Sequence, residues 1–555
     1  MKYKNMAKIF IIFCIAPLVI VVGFSLNWSA LDNPSPAKSV QSNPTGTVYS
    51  KKNRTREELL LEMRENGWLK ADFSEWFVSP NGRPTGTGTL KLPLDLETVL
   101  GRRNGSSAIK PGDIVWLRGG KYRGSYTVQI GGISGRPVHI RQYPGERAIL
   151  DKSSASREVG TLTVRGPHVW FWDFEISNTY PVRSRLDRRG KLKPWRGSGI
   201  NVFAAYTKYI NLIIRDNGHG IGIWNENGAT EIYGCLIFNN GNNKKEHGIY
   251  AHNKSGIQRI ENNIIFNNSG YGLHIYANSP KRSISGFEIE NNTVFENGSL
   301  MKDDQAADQI LVGGVEGVAA GRVRLQGNVV YTDPESKSRK SRGIRLGYRH
   351  QSNADLTLLD NFVVGRVPLK ILWWDSVEAC GNTVISSGRG IEIKTPASPD
   401  YSKYRFYMNR FWSHGNTDRY FVLDGKKTAF SYWYSKISKS SCSRKFQNNK
   451  VADKFPRIFI NRNKYDETRA NLTVYGGGKF DYVLIELGDF LVPGERFGVW
   501  DAENYTGEQV FSGVFEGKPI RLSLRRKKTA QPVGDVERVP AHTGPDFSVF
   551  VVRKL

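Results

Sequence analysis

Five short segments begin with glycine and alternate apolar with larger side chains. They are Gly220-Ile-Gly-Ile-Trp, Gly248-Ile-Tyr-Ala-His, Gly272-Leu-His-Ile-Tyr, Gly343-Ile-Arg-Leu-Gly and Gly390-Ile-Glu-Ile-Lys. In a strand, successive side chains point to opposite faces. If the Ile or Leu after each glycine points inward, the next residue points outward. That outward column is Gly222, Tyr250, His274, Arg345 and Glu392, with Lys370 between the last two. The neighbouring outward column is Trp224, His252, Tyr276, Gly347 and Lys394. Elimination beside a carboxylate needs a base for the proton on the adjacent carbon, an acid for the leaving oxygen and a cation to neutralise the carboxylate. His252 or His274 is the candidate base, Tyr276 or Tyr250 the candidate acid, and Arg345 the candidate neutraliser. Trp224, Lys370 and Lys394 are candidate binding residues, because rings stack on sugar faces and cations pair with carboxylates.

Other residues bear on the same chemistry. A basic run from Arg183 to Arg196 interrupts the repeat and carries Arg189 and Trp195. It reads either as a flap over a polyanion, with both residues binding substrate, or as a solvated charge run. His219 and His247 fall at equivalent positions beside Glu246. Two histidines and one carboxylate are a weak metal signal, and turn histidines are the expectation. Glu226, Glu231, Asp216 and Asp375 keep glycoside hydrolysis open; that chemistry needs a carboxyl pair about 5–9.5 Å apart, a spacing that Asp216 and Glu246 on adjacent coils could meet. No carboxylate cluster of calcium-binding character occurs, so no cofactor is expected, with Ca²⁺ the one alternative left open. Cys14, Cys235, Cys380 and Cys442 show no paired spacing, which excludes a disulfide-stapled scaffold or zinc module.

These residues need a scaffold that repeats. Ile214-Arg-Asp-Asn-Gly, Ile237-Phe-Asn-Asn-Gly, Ile265-Phe-Asn-Asn-Ser-Gly and Val294-Phe-Glu-Asn-Gly are variants of one unit. Their asparagines, Asn217, Asn240, Asn268 and Asn297, recur at intervals of 23, 28 and 29 residues. A second column, Asn263, Asn292, Asn328, Asn361 and Asn382, opens short β-branched runs. Such units are too short to make a sheet alone and bury their apolar faces only by stacking. The leucine-rich frame is missing and no helical periodicity occurs within units, which excludes a leucine-rich repeat.

The expected fold is all-β: a right-handed single-stranded parallel β-helix, an N-terminal capping helix and a small C-terminal antiparallel β-sandwich. Thr55 and Glu58 have capping-box spacing ahead of the helix. The expected divisions are a signal peptide or signal anchor over 1–25, a flexible linker over 26–54, the β-helix with its cap over 55–400, an irregular excursion over 401–468 and the sandwich over 469–555. Lys2, Lys4 and Lys8 precede an uncharged apolar stretch from Ile9 to Phe24, which predicts export to the periplasm, cell envelope or exterior. The N-terminal segment is expected to contact the membrane, uncleaved if it serves as an anchor. The formal net charge of +27 favours an anionic partner. With export, that partner is an acidic polysaccharide rather than nucleic acid. A monomer is expected.

Three runs carry a family resemblance: Trp76-Phe-Val-Ser-Pro-Asn-Gly, Lys110-Pro-Gly-Asp-Ile-Val-Trp-Leu-Arg-Gly-Gly and Gly135-Arg-Pro-Val-His-Ile. With the repeats, they resemble the pectin-lyase-like superfamily of right-handed parallel β-helix proteins, and within it the polysaccharide lyases of the alginate lyase and chondroitinase B group. The resemblance implies an exported carbohydrate-active protein that cleaves a uronate-containing polysaccharide by β-elimination. A glycoside hydrolase of the same fold and a non-catalytic polysaccharide-binding envelope protein are the alternatives. Two departures stand out. The calcium-dependent members gather Asp on one face, and this chain does not. Ser341-Arg-Gly-Ile-Arg-Leu-Gly resembles the tail of the alginate-lyase motif without its Glu.

Overall fold

Asparagine amides fix the register of the central stack. In the computed structural model, Asn217, Asn240, Asn268 and Asn297 form one ladder. Each Nδ2 donates to the next Oδ1 at 2.8–3.2 Å, and Gln309 closes the series. A second ladder runs Asn263, Asn292, Asn328, Asn361, Asn382 and Asn409, with steps of 2.9–3.0 Å. The same Oδ1 atoms accept the backbone N–H of the preceding rung. A buried amide therefore has partners on both sides, as buried polar groups require. In the second ladder the residue before each rung turns the chain left-handed: Asn262, Asn291 and Asp360 have φ between +52° and +55°. Asn and Asp tolerate that conformation better than most L-residues. Cys235 occupies the ladder position below Asn263 and donates its backbone N–H to it; its thiol is buried.

The ladders stand at corners between three stacked sheets, each of twelve strands. The first sheet opens with Glu75–Val78, the second with Gly120–Arg123 and the third with Tyr126–Val128. Pairing is parallel from coil to coil, as in Ile221–Ile223 between Ile200–Val202 and Ile249–Ala251, while the edge strand Lys426–Thr428 folds back antiparallel on the third sheet. Inward positions form apolar columns. On the third sheet they include Ile200, Ile221, Ile249, Leu273, Ile310, Ile344, Leu369 and Ile391, all buried. Each such side chain contributes about 1.5–3 kcal/mol relative to exposure.

Residues 54–101, 107–154, 160–190, 192–301, 307–335, 342–413, 420–437, 447–448 and 456–555 are described. The expected signal segment lies outside them, as does the linker up to residue 53. Among the described residues no helix is long and apolar enough to cross a membrane.

The helix Arg56–Glu65 has its capping box, with Thr55 and Glu58 exchanging side-chain and backbone hydrogen bonds. Leu59, Leu60 and Met63 pack on Phe77, Ile114 and Trp116, so the helix caps the opening coils from the outer side of the first sheet. A shorter helix, Leu96–Val99, carries Leu96 and Val99 into the central core beside Val115 and Val128.

The coils continue past residue 400, where an irregular excursion was expected. Tyr404–Tyr407, Arg410–Ser413 and Phe421–Leu423 add a strand to each sheet. Aromatic residues fill this last coil in place of Ile and Val. Trp433 and Ile437 of the helix Phe430–Ile437 are fully buried against it.

The C-terminal unit also starts before residue 469, with Arg457–Arg462. Five antiparallel strands face a two-stranded ladder, Tyr482–Ile485 with Ile520–Ser523, across an apolar core. The other face of the five-stranded sheet covers the second sheet of the β-helix. Phe238, Phe266 and Phe295 stack at 5.0 Å intervals there, and Phe547 meets Phe295 and Tyr331.

Replacing a mid-ladder asparagine should orphan buried amides on both neighbouring rungs. Asn292→Ala is expected to lower unfolding free energy by about 1–3 kcal/mol in urea titrations. The exposed loop substitution Asn278→Ala should stay within about 0.5 kcal/mol of wild type. Equal stability of the two variants would contradict the ladder's role.

Candidate active site

The C-terminal unit packs on the second sheet, and the register of the third sheet sets its outward column directly. Asn201 pairs with Gly222, Gly222 with Tyr250, Tyr250 with His274, His274 with Leu311, Leu311 with Arg345, Arg345 with Lys370 and Lys370 with Glu392. Only the Leu311 coil separates His274 from Arg345, roughly two strand spacings or about 10 Å.

Ring contacts join this column to its neighbour. Trp224 lies 5.2 Å from Tyr250, Tyr250 lies 5.5 Å from His274, and His274 stacks on Tyr276 at 4.6 Å. Tyr276 meets Tyr348 edge-on at 5.4 Å, and the Arg345 guanidinium covers the Tyr348 ring at 4.6 Å. Six of the expected residues, Trp224, Tyr250, His252, His274, Tyr276 and Arg345, therefore form one continuous patch, bridged by Tyr348. The Trp224 indole folds back across Gly222 and donates to Asn201 Oδ1 at 2.9 Å. A Cβ at Gly222 would meet that ring at 2.7 Å, so glycine makes the stacking possible.

The histidines differ from one another. His247 N–H donates to His219 Nδ1 at 3.1 Å, and Tyr271 N–H donates to His247 Nδ1 at 3.1 Å. A nitrogen that accepts a backbone N–H carries no proton, so His247 is protonated on Nε2. That atom lies 2.8 Å from His274 Nδ1, which must accept. His274 therefore presents an Nε2–H donor. Burial pushes His274 down to about 3 and His247 well below the usual range, so both rings are neutral. His252 is 2% exposed, and neither ring nitrogen has a hydrogen-bond partner. Glu226 Oε1 is 3.8 Å from its Nδ1. Burial, with Arg282 adding to it, pushes His252 down to about 4.

Arg282 escaped the repeat reading because it sits in the loop after Tyr276, outside any strand. Burial raises the pKa of Tyr250, against the opposing charge of Arg282. Tyr276 is also raised, again by burial. Beyond Arg345 the wall is charged. Asp308 is fully buried between Arg342 (3.1 Å) and Arg345 (4.0 Å). Lys370 pairs with Glu392 at 2.9 Å, and burial lowers its pKa. Lys394 lies over Trp373 at 5.6 Å.

Arg189 and Trp195 lie elsewhere. The basic run is a hairpin, Ser184–Leu186 with Leu192–Pro194, whose tip leaves Arg189 exposed. Arg185 covers Trp195 at 4.8 Å. The arginines that flank the hairpin are staples. Arg183 is buried on Asp216 and on the carbonyls of Asn239, Gly241 and Val533. Arg196 reaches Asp216 O and Val533 O. Asp216, one of the carboxylates weighed for hydrolysis, is fully buried and held by Arg183, Arg215 and the Val533 N–H. Glu246 is likewise buried, accepting from Asn242 and Asn243.

Residues 76–344 match a family model described as Pel9A-like, right handed beta helix region. That segment folds as a parallel β-helix, and it is similar to the region that this model describes. Among solved structures, pectate lyase Pel9A is 17% identical over 68% of this chain and 83% of its own, with a TM-score of 0.38. A mannuronic-acid-specific polysaccharide family 6 lyase from human gut microbiota is 13% identical over 63% of this chain and 82% of its own, with a TM-score of 0.37. XylC in complex with xylose is 10% identical over 86% of this chain and all of its own, with a TM-score of 0.37. No curated protein sequence matches the chain.

Among the described residues, one group could hold a metal ion: Asp501, Glu503 and His542, with ligand atoms within 4.8 Å of one another. The donor chemistry fits poorly. Gly544 N–H donates to His542 Nδ1 at 2.9 Å, so the ring proton sits on Nε2, directed at Asp501 Oδ2 at 2.8 Å. A metal would have to take that proton's place and leave the ring without one. Thr543 binds Glu503, whose carboxyl burial pushes up to about 7. The cluster fastens the segment around His542 to the C-terminal sheet.

The neutral histidines have a thermodynamic signature. Unfolded histidine titrates near 6.5, and folded His274 and His252 do so well below. The unfolded state thus binds more protons as pH falls below 6.5. Stability should decline from pH 6.5 to 5 by up to about 1.4 kcal/mol per pH unit for each such ring. His274→Gln is expected to show a shallower slope than wild type in pH-dependent urea titrations. Parallel slopes would contradict a buried neutral His274.

Proposed function

We propose that the third sheet's outer wall binds an acidic, uronate-containing polysaccharide and cleaves it by β-elimination. The observation that carries this reading is the unbroken run of rings from Trp224 to Tyr348 that ends on Arg345. Sugar rings stack on such a run while guanidinium groups at its edge, Arg345 and Arg282, pair with carboxylates. Neutralising the carboxylate stabilises the carbanionic charge that forms as the adjacent proton leaves. Tyr276, protonated and partly exposed, suits protonation of the leaving oxygen. His252 suits the base role, because it is neutral and neither ring nitrogen is engaged. His274 offers an Nε2–H donor, which fits a substrate oxygen better than a proton. Lys370 and Lys394 extend the cationic surface. The basic N-terminus followed by apolar residues supports an activity outside the cytoplasm.

A second reading has its own support. Both nitrogens of His252 are covered, so proton abstraction requires the ring to be uncovered when substrate binds. A wall that holds polymer without cutting it needs no such movement.

Incubation with polygalacturonate, alginate and glycosaminoglycans, followed by ultraviolet absorbance of unsaturated ends, separates the two. Cleavage of one polymer is expected. Arg345→Ala should lower kcat/KM by about 10- to 100-fold, the loss of a charge-assisted contact. Tyr276→Phe should lower kcat by about 10²- to 10⁴-fold. Retention of polymer on the immobilised protein with no unsaturated ends would establish the binding reading instead. Unchanged turnover in His252→Ala would remove that base.

A further inference from the structure

Two buried arginines face each other where the C-terminal unit meets the β-helix. Arg469 and Arg553 are register partners on the antiparallel strands Arg469–Tyr475 and Phe547–Lys554. They are 1% and 7% exposed. Like charges directly opposite in a sheet repel, and burial removes the water that would screen them. Arg553 has partners: its Nε donates to the Tyr505 hydroxyl at 3.0 Å, and its Nη1 lies 3.7 Å from Asp466 Oδ2. Arg469 Nε and Nη2 have no hydrogen-bond partner among the described residues. These two atoms form one edge of the guanidinium, the fork that binds oxyanions in bidentate fashion.

Both arginines line a cavity of about 40 Å³. A single water needs about 10–15 Å³ by the same measure, so the space takes a larger guest. Carboxylates also line it, but each already has a guanidinium of its own. Glu175 binds Arg147 and Arg215, Asp173 binds Arg141, and Glu146 binds Arg118. None of them closes the Arg469 fork. Burial lowers the Arg469 pKa, and Arg553 pushes the same way. An anion between the two would relieve both effects.

We propose that this cavity binds a small tetrahedral oxyanion, of the phosphate or sulfate class, across Arg469 and Arg553. The ion fastens the C-terminal unit to the β-helix, since Arg469 and Arg553 belong to one and Asp173, Glu175 and Asn211 to the other. The site stands apart from the third-sheet wall and does not depend on its function.

The test is thermal unfolding of the full chain in inorganic phosphate, sulfate or chloride at equal ionic strength. A saturable rise in Tm is expected with phosphate or sulfate and not with chloride; whichever anion saturates at lower concentration is the one the site prefers. Arg469→Gln should weaken the apparent affinity by about tenfold or more. Arg469→Lys keeps the charge but loses the fork. It serves where the glutamine variant does not fold, and should lose most of the response. Chloride acting as well as phosphate and sulfate, or a wild-type response in Arg469→Lys, would overturn the proposal.

Discussion

Parallel stacking of identical corners is the constraint on which the rest of the molecule depends. Each ladder asparagine bonds forward to the next amide and takes the backbone N–H of the rung behind it. The coils are thereby locked at one strand spacing. A slip of one residue along a strand would turn Ile columns outward and drive Tyr250 and Arg345 into the core. The corner amides and the apolar columns oppose such a slip together. Register is therefore a chemical variable here: which outward side chains become neighbours follows from which rungs stack.

Three outer faces then acquire different fates from the residues at outward positions. The second sheet presents Leu236, Phe238, Ile264, Phe266 and Phe295, an apolar strip that must be covered, and the C-terminal sheet covers it. The first sheet presents Lys208, Glu231, Arg259, Glu288 and Arg324, which pair across rungs and with Lys464. The third presents rings and unevenly spaced cations. Burial holds His252 and His274 neutral, and Arg282, Arg345, Lys370 and Lys394 are among the cations of this wall.

Much of this was legible because spacing encodes it. The Asn and Gly columns share the coil period, so aligning Gly248 with Gly272 in the sequence sets Tyr250 beside His274, as their strands pair. The coil Asp308–Val312 escaped, because Asp308-Gln309 stands where its neighbours carry the leading glycine. Leu311 was thus missing from the outward column. The last coil escaped because Tyr404, Phe406, Phe411 and Phe421 replace aliphatic residues, although Asn409 keeps its place in the ladder. Arg282 and Tyr348 lie in loops, which no period positions. The depth at which His252 sits could not be read either, since burial of an outward ring depends on how the flanking loops fold over it.

Long-range pairing explains the remaining surprises. Arg183 looked like part of a solvated basic run, yet it binds Asp216 and the Val533 carbonyl, 33 and 350 residues away in sequence. Arg469 and Arg553 are 84 positions apart and become neighbours only because two C-terminal strands pair. A basic chain must place some cations inside, and desolvation makes each costly unless an anion meets it. For Arg183 the chain supplies Asp216. For Arg469 it supplies a fork and a cavity while committing every nearby carboxylate to another guanidinium, which is the arrangement a captured oxyanion would complete.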